Sequence, residues 1–446
     1  MNSLLIANAR LVNEGEIRDA DVLIEGERIE TIGSGLKAPG DAQVLDAQGK
    51  FLLPGMIDDQ VHFREPGLTH KGNLATESAA AVAGGVTSFM DMPNVNPRTT
   101  TRAALADKFE MAAGRCRANY NFYLGASNRN IEEIKSLQIG ESCGIKCFMG
   151  ASTGDMLVDD PQALELLFEH SPVIVLTHCE HTPTIRDNEA KAKAEFGELV
   201  PMSEHPRIRS ANACLLSSSQ AVDLARRHNA LLHVLHLTTA IEMGLFSKSP
   251  RAEKRITAEV CVHHLWFDES WYSQLGTRIK CNPAIKTAED REALMAAVNA
   301  DRIDIIATDH APHTISEKGK SYFKAPAGLP LVQHVMLCLF DFVKDGRMPV
   351  EKVVDKTAHA VADIFGVVDR GYVREGYFAD LVLVDPNQPY AVSSANLLAK
   401  CHWSPFEGHT FSSTIDTTIV NGRIAYQDGK VSDEIAGQRF ACNRSR

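Results

Sequence analysis

No run of apolar residues in the chain approaches the ~18 needed to cross a bilayer as a helix. The opening residues, Met1 to Asn8, lack both the basic segment and the long apolar core of a secretory signal. A membrane is therefore not an expected partner, and a cytoplasmic location is expected. Positive charge is also in deficit: 46 Lys and Arg stand against 57 Asp and Glu, a net charge of -11, whereas nucleic-acid binding needs clustered cations. An anionic ligand would have to be met by local Arg and Lys. The ten cysteines, at 116, 143, 147, 179, 214, 261, 281, 338, 401 and 442, include no Cys-x-x-Cys pair, and so scattered they read as reduced, mostly buried thiols. Internal repeats and low-complexity linkers are absent as well.

What is present is ordinary globular material: 446 residues, 44% hydrophobic and 23% charged. That length suits two or three domains, or one large barrel with an accessory domain. Short strands joined by turns fill the N-terminal part (Leu4 to Val12, Ala20 to Ile24, Arg28 to Ile32, Gln43 to Asp46), and the same texture returns near the C-terminus (Ala379 to Val384, Ser413 to Val420, Ile424 to Tyr426). Neither end could bury a core alone, which predicts one small β-sandwich domain built from both termini, residues 1–53 and 367–446. Between them, apolar β-like runs recur at Met56–His62, Val86–Met92, Ala118–Leu124, Gly144–Met149, Val173–His178, Ala230–His236, Arg255–Val260 and Ile303–Thr308. Most are separated by stretches of helical pattern. Eight such units predict a (β/α)8 TIM-type barrel over residues 54–366; a doubly wound sheet stays open, because strand count does not show closure.

The chemistry-bearing residues fall at the ends of these runs. Side chains two apart share one side of a strand, so Gln60, His62 and Arg64 are expected to project together. A neutral, metal-bound imidazole can sit beside a guanidinium that waits for a carboxylate. His62, Asn94, Lys146, His178, His236 and Asp309 each lie in or just after a different predicted strand. Taken singly, each has a plain structural reading as a core histidine, a solvated lysine or a turn cap. In a closed barrel they converge on one mouth, which argues for a site. Three imidazoles, a carboxylate and a lysine suit Zn2+, one or two ions, the lysine becoming a ligand once N-carboxylated if the centre is binuclear. A hydroxide bridging two metals would be the nucleophile, and Asp309 would hold a metal and shuttle the proton. His233, at odd spacing from His236, is expected on the opposite face in a structural role. His263 and His264 read as packing or supporting residues, and His70, His181 and His205 as surface or loop residues.

Asp58 to Gly67, Met92-Pro93-Asn94, Thr177 to Glu180, His236 to Thr239, Glu259 to Leu265, Lys280 to Pro283 and Thr308 to His313 together resemble the dihydroorotases of the amidohydrolase superfamily, in the class related to the larger type I enzymes. The resemblance covers essentially the whole chain. It implies reversible cyclisation of N-carbamoyl-L-aspartate to dihydroorotate in pyrimidine synthesis. It also implies His62, Lys146, His178, His236 and Asp309 as metal-site residues, with Lys146 carboxylated, and Arg64, Asn94 and His313 as the holders of the substrate carboxylate. Asn282 and Gly328 are assigned to substrate binding in the same way, a homodimer is implied, and association with other pyrimidine-pathway enzymes stays open. Ser152 and Thr153, in a glycine-flanked loop, are expected on a lid over bound substrate. One position departs from the pattern: His-x-His-x-Arg is replaced by Gln60-Val61-His62-Phe63-Arg64, leaving an amide oxygen, a weaker ligand for zinc, at the first site. Asp59 is expected to face away from the site. Alternatives are a hydantoinase- or allantoinase-type cyclic amidohydrolase and a catalytically silent partner protein, the latter motivated by Gln60.

Overall fold

The apolar runs of the middle segment become eight parallel strands: β1 Met56–Val61, β2 Val86–Asp91, β3 in two pieces (Asn119–Phe122 and Leu124–Gly125), β4 Ile145–Phe148, β5 Val175–His178, β6 Leu232–Val234, β7 Ile256–Cys261 and β8 Ile305–Ala307. The computed structural model describes residues 3–40, 42–150 and 156–446. Parallel pairing runs from β1 through the first piece of β3, and from its second piece through to β8. The ring closes between β8 and β1. Val61 bridges His310 in parallel, the His62 amide donates to the His310 carbonyl at 2.7 Å, and the Asp58 carboxylate accepts from the Thr308 amide and hydroxyl at 3.2 and 2.6 Å. This closure makes the fold a (β/α)8 barrel and removes the doubly wound alternative.

Local chemistry starts and stops the helices between strands. Asn73 caps Leu74–Ala83 with a reciprocal box to Thr76, Ser210 caps Ala211–His228, Asn229 ends that helix in the left-handed region, and Thr287 boxes Asp290 at the start of Ala288–Asn299. Inside the ring, Ile57, Met90, Tyr123, Leu176, Leu231 and Ile305 belong to one buried cluster, the filled interior that makes a barrel a core rather than a pore. All ten cysteines are free and buried. Among the described residues, no helix is long and apolar enough to cross a membrane.

Strands from both ends of the chain form the β-rich domain. Phe51–Pro54 pairs with Ser3–Asn13 on one side and with Leu381–Asp385 on the other, and Thr414–Val420 and Arg423–Gln427 continue outward. The nine strands are hydrogen-bonded as one sheet, over a core that includes Leu4, Ile6, Val22, Ile24, Leu381, Leu383 and Ile419. The segment after Val431 leaves this sheet and lies along the barrel, where the Tyr120 amide donates to the Gln438 carbonyl and the Asn443 amide to the Gly366 carbonyl. Gly55 alone separates Phe51–Pro54 from β1, and a Cβ there would stand 2.1 Å from the Thr87 side chain.

Candidate active site

Three side chains of the barrel mouth sit on backbone that non-glycine residues seldom adopt. Arg64, His236 and Asp309 have φ of 71°, 39° and 48°, each costing on the order of 1–3 kcal/mol relative to relaxed backbone. The left-handed steps swing these residues inward just beyond their strands. One cavity is lined by Gln60, His62, Arg64, Asn94, Lys146, His178, His236, Asn282, Asp309 and Gly328, with Phe148, Ala311 and Ala327 filling its wall. Ten sequence-predicted residues therefore meet. His313 stands behind Arg64, outside the cavity lining; its Nε2 is 3.0 Å from Arg64 Nη2 and 3.0 Å from the Ala327 carbonyl.

Hydrogen bonds define which nitrogen each ring presents. Nε2 of His178 donates to the buried Glu180 carboxylate at 2.8 Å, which leaves Nδ1 with its lone pair, 2.9 Å from His236 Nε2. Nδ1 of His62 lies 2.8 Å from Asn94 Oδ1, turning Nε2 toward Asp309 Oδ1 at 3.1 Å. Gln60 Nε2 donates to the same Asp309 oxygen at 3.2 Å. The Lys146 ammonium is buried without a hydrogen-bond partner, above the Phe148 ring at 4.6 Å. Burial pushes its pKa down to about 8, with nearby carboxylates opposing. Burial likewise lowers His178 and His236, favouring the neutral rings that bind metals. Burial pushes Asp309 up, but the hydrogen bond and charge of His62 outweigh it and hold the carboxyl below its usual range. Converging lone pairs, an unpartnered lysine and an ionised aspartate are a donor set that fits a divalent metal.

Among the described residues, Arg64 is the one guanidinium on the cavity wall. Its Nε donates to the Pro312 carbonyl at 3.0 Å, and burial lowers its pKa to about 10, against the pull of Asp309 and Asp91. Lys71 donates to His313 Nδ1 at 3.0 Å, and burial with these flanking cations keeps His313 neutral. Gly328, at φ 138°, lies so close to this group that a Cβ would fall 2.5 Å from the Ala311 carbonyl and 3.1 Å from the His313 ring.

The amidohydrolase family pattern matches residues 51–425. The chain belongs to the amidohydrolase family. It is 33% identical over 92% of its length to a dihydroorotase of Methanosarcina mazei, covering 91% of that protein. A dihydroorotase of Pediococcus pentosaceus is 30% identical, with 95% of this chain and 99% of that one covered. Among solved structures, an L-hydantoinase (dihydropyrimidinase) from Arthrobacter aurescens superposes with a TM-score of 0.94 at 25% identity, over 99% and 100% of the two chains.

Within this amidohydrolase several side chains stand elsewhere than the sequence suggests. His233 was expected on the face opposite His236, but the left-handed step at His236 resets the alternation, and His233 Nε2 lies 3.3 Å from Asp59 Oδ2 across the barrel. Asp59 accordingly faces the interior. His205 is fully buried rather than a surface residue, bonded to the Tyr322 hydroxyl at 2.9 Å and the Cys281 carbonyl at 2.8 Å. Glu180 and its partner Arg209 escaped the sequence reading as supports of the site. Glu180 closes the Thr177 to Glu180 motif at a spacing of two from His178, a signal without an assigned role, and Arg209 has none. Ser152 and Thr153 lie outside the described residues.

Proposed function

We propose that this amidohydrolase is a dihydroorotase, interconverting N-carbamoyl-L-aspartate and dihydroorotate. The observation that carries the reading is Arg64: a buried guanidinium on the wall of a pocket otherwise built for metal and amide chemistry has to meet an anion from the ligand. Dihydroorotate bears a carboxylate beside its ring, and hydantoin does not. The dihydroorotase relatives support the same choice; the hydantoinase likeness supports fold and metal chemistry.

The mouth residues then divide the work. His62, His178, His236, Asp309 and Lys146 would hold the metal, Lys146 once carbon dioxide has added to the neutral fraction of its amine, raised by the lowered pKa, with loss of a proton. A metal held there would supply Lewis-acid chemistry, lowering the pKa of a water and polarising the ring carbonyl. Arg64 and Asn94 fix the substrate carboxylate, and His313 braces Arg64. Asn282, whose Oδ1 is buried and unpartnered, accepts a ring N–H. Asp309, ionised, takes the proton from the attacking water and returns it to the ring nitrogen as the C–N bond breaks; closure runs the same path backwards. Zinc as the metal, a homodimer and a cytoplasmic location belong to this reading. Steady-state assay of the purified protein with dihydroorotate, N-carbamoyl-L-aspartate and hydantoin tests it. Turnover of the first two is expected; efficient hydantoin turnover without dihydroorotate turnover would replace it with the hydantoinase reading. Absence of both metal and turnover would mark a silent relative.

A further inference from the structure

Below the catalytic mouth the barrel interior holds a second convergence of donors that the proposed reaction does not use. Asp59 on β1, His233 on β6 and Glu259 on β7 are all fully buried. One ligand atom from each lies within 4.8 Å of the others. β1 and β6 are not neighbours in the ring, so the contact spans the interior.

The bonding of each group leaves lone pairs facing one another. Thr257 Oγ1 lies 2.8 Å from His233 Nδ1 and 3.3 Å from the Leu232 carbonyl. With the hydroxyl donating to that carbonyl, it accepts from Nδ1–H, and the ring turns Nε2 toward the two carboxylates. Nε2 then faces Asp59 Oδ2 at 3.3 Å and Glu259 Oε2 at 3.7 Å. Neither oxygen of Asp59, nor Glu259 Oε2, nor His233 Nε2 has a hydrogen-bond partner. Two carboxylates in a dry interior need a positive charge among them; burial opposes it, but Asp59 and Glu259 together raise His233 to about 9, so the charge is either a cation bound at Nε2 or the protonated ring itself, and metal content separates the two.

We propose that Asp59, His233 and Glu259 form a divalent-cation site, separate from the catalytic centre, for a first-row ion of the zinc or manganese type. The separations match that occupant: metal–donor bonds of roughly 2.0–2.2 Å at tetrahedral angles place donors about 3.3–3.6 Å apart. One imidazole with two carboxylates suits such an ion better than calcium, which takes six or more oxygens. The Thr257 contact is the kind of outer partner that orients a ligating histidine. The site is tied to catalysis through one atom: Glu259 Oε1, the oxygen not aimed at the cation, accepts from the His236 amide at 3.0 Å. A cation there fixes Glu259 and, through it, the left-handed turn that presents His236.

Anomalous diffraction from crystals of the full chain, grown with Zn2+ or Mn2+ and recorded at each metal's edge, tests the assignment. The expected result is a peak bonded to Asp59, His233 and Glu259, distinct from any peak at His178 and His236. A loaded mouth with no peak between these three residues overturns the proposal. Metal analysis of Asp59→Asn, which leaves the mouth ligands intact, is expected to lose one equivalent per chain; unchanged content in a folded variant overturns it as well. Neither readout depends on turnover of dihydroorotate, so this inference and the functional reading fail separately.

Discussion

Arg64 and Gln60 carry the sharpest tests at the scale of single residues. Replacing Arg64 with Met removes the fork for the substrate carboxylate, and loss of a buried charge-assisted pair costs roughly 2–5 kcal/mol, about 30- to 5,000-fold in kcat/KM for dihydroorotate. Steady-state kinetics should place the loss there and leave any slow hydantoin turnover unchanged. Gln60 donates its amide N–H to Asp309 and offers only its carbonyl oxygen toward a metal. Gln60→His is therefore expected to raise metal content in the mouth by one ion, measured by elemental analysis; equal content in both proteins would show that the amide does not thin the site. Glu180 gives a pH test. Burial raises it, but Arg209 and His178 outweigh that and bring its pKa to about 2. A depressed carboxylate contributes its stability in full above its ordinary value near ~4.3 and loses it as pH falls through the folded value. The stability advantage over Glu180→Gln, on the order of 3 kcal/mol at neutral pH, should shrink between pH ~5 and ~2 in denaturant titrations.

Strands and turns show where alternation can be trusted as a guide and where it cannot. Every barrel strand overlaps an apolar run visible in the sequence, with ends within two residues, because burial on both faces enriches most of these strands in apolar residues; β1, with Asp58, Asp59 and Gln60, departs from this. Side-chain direction past the strand ends is less legible. The two-residue period holds only while the backbone stays extended, and Arg64, His236 and Asp309 each leave it by a left-handed step. Hence His233 and His236, three apart, both reach the interior. Loop contacts that depend on close backbone approach are also silent in composition. Gly328 is the case in point: Gly328→Ala would press a methyl group into the Ala311 carbonyl and the ring of His313. It should raise KM for dihydroorotate by displacing the brace behind Arg64, with a stability cost on the order of 1–3 kcal/mol. A KM equal to that of the natural protein would show that the loop gives way without disturbing Arg64.

Across the whole molecule, ring closure and long-range ion pairs are what the sequence concealed. Asp58 reads as one of two adjacent acids, yet its bonds to Thr308 join the first and last strands of the barrel. Arg209 reaches Glu180 from a helical insertion whose docking has no periodic signature. The strand texture at both ends, by contrast, pointed to a β domain built from both termini; its nine strands form one sheet. Because Phe51–Pro54 pairs with strands from both termini and runs straight into β1, sheet and barrel are expected to unfold in one calorimetric transition. Deleting residues 381–427 should leave the barrel insoluble or unfolded by circular dichroism; a folded, active truncation would show that the barrel stands alone.

The single residue at Gly55 has one more consequence. With no slack between sheet and barrel, the distance from the sheet to the mouth is counted in residues along one continuous strand. Inserting one residue at Gly55 would advance β1 by about 3.3 Å and turn its side chains over, offering Val61 where His62 now stands. The sheet thus works as a ruler for the site, setting the reading frame in which the ligands of β1 meet those of the other strands.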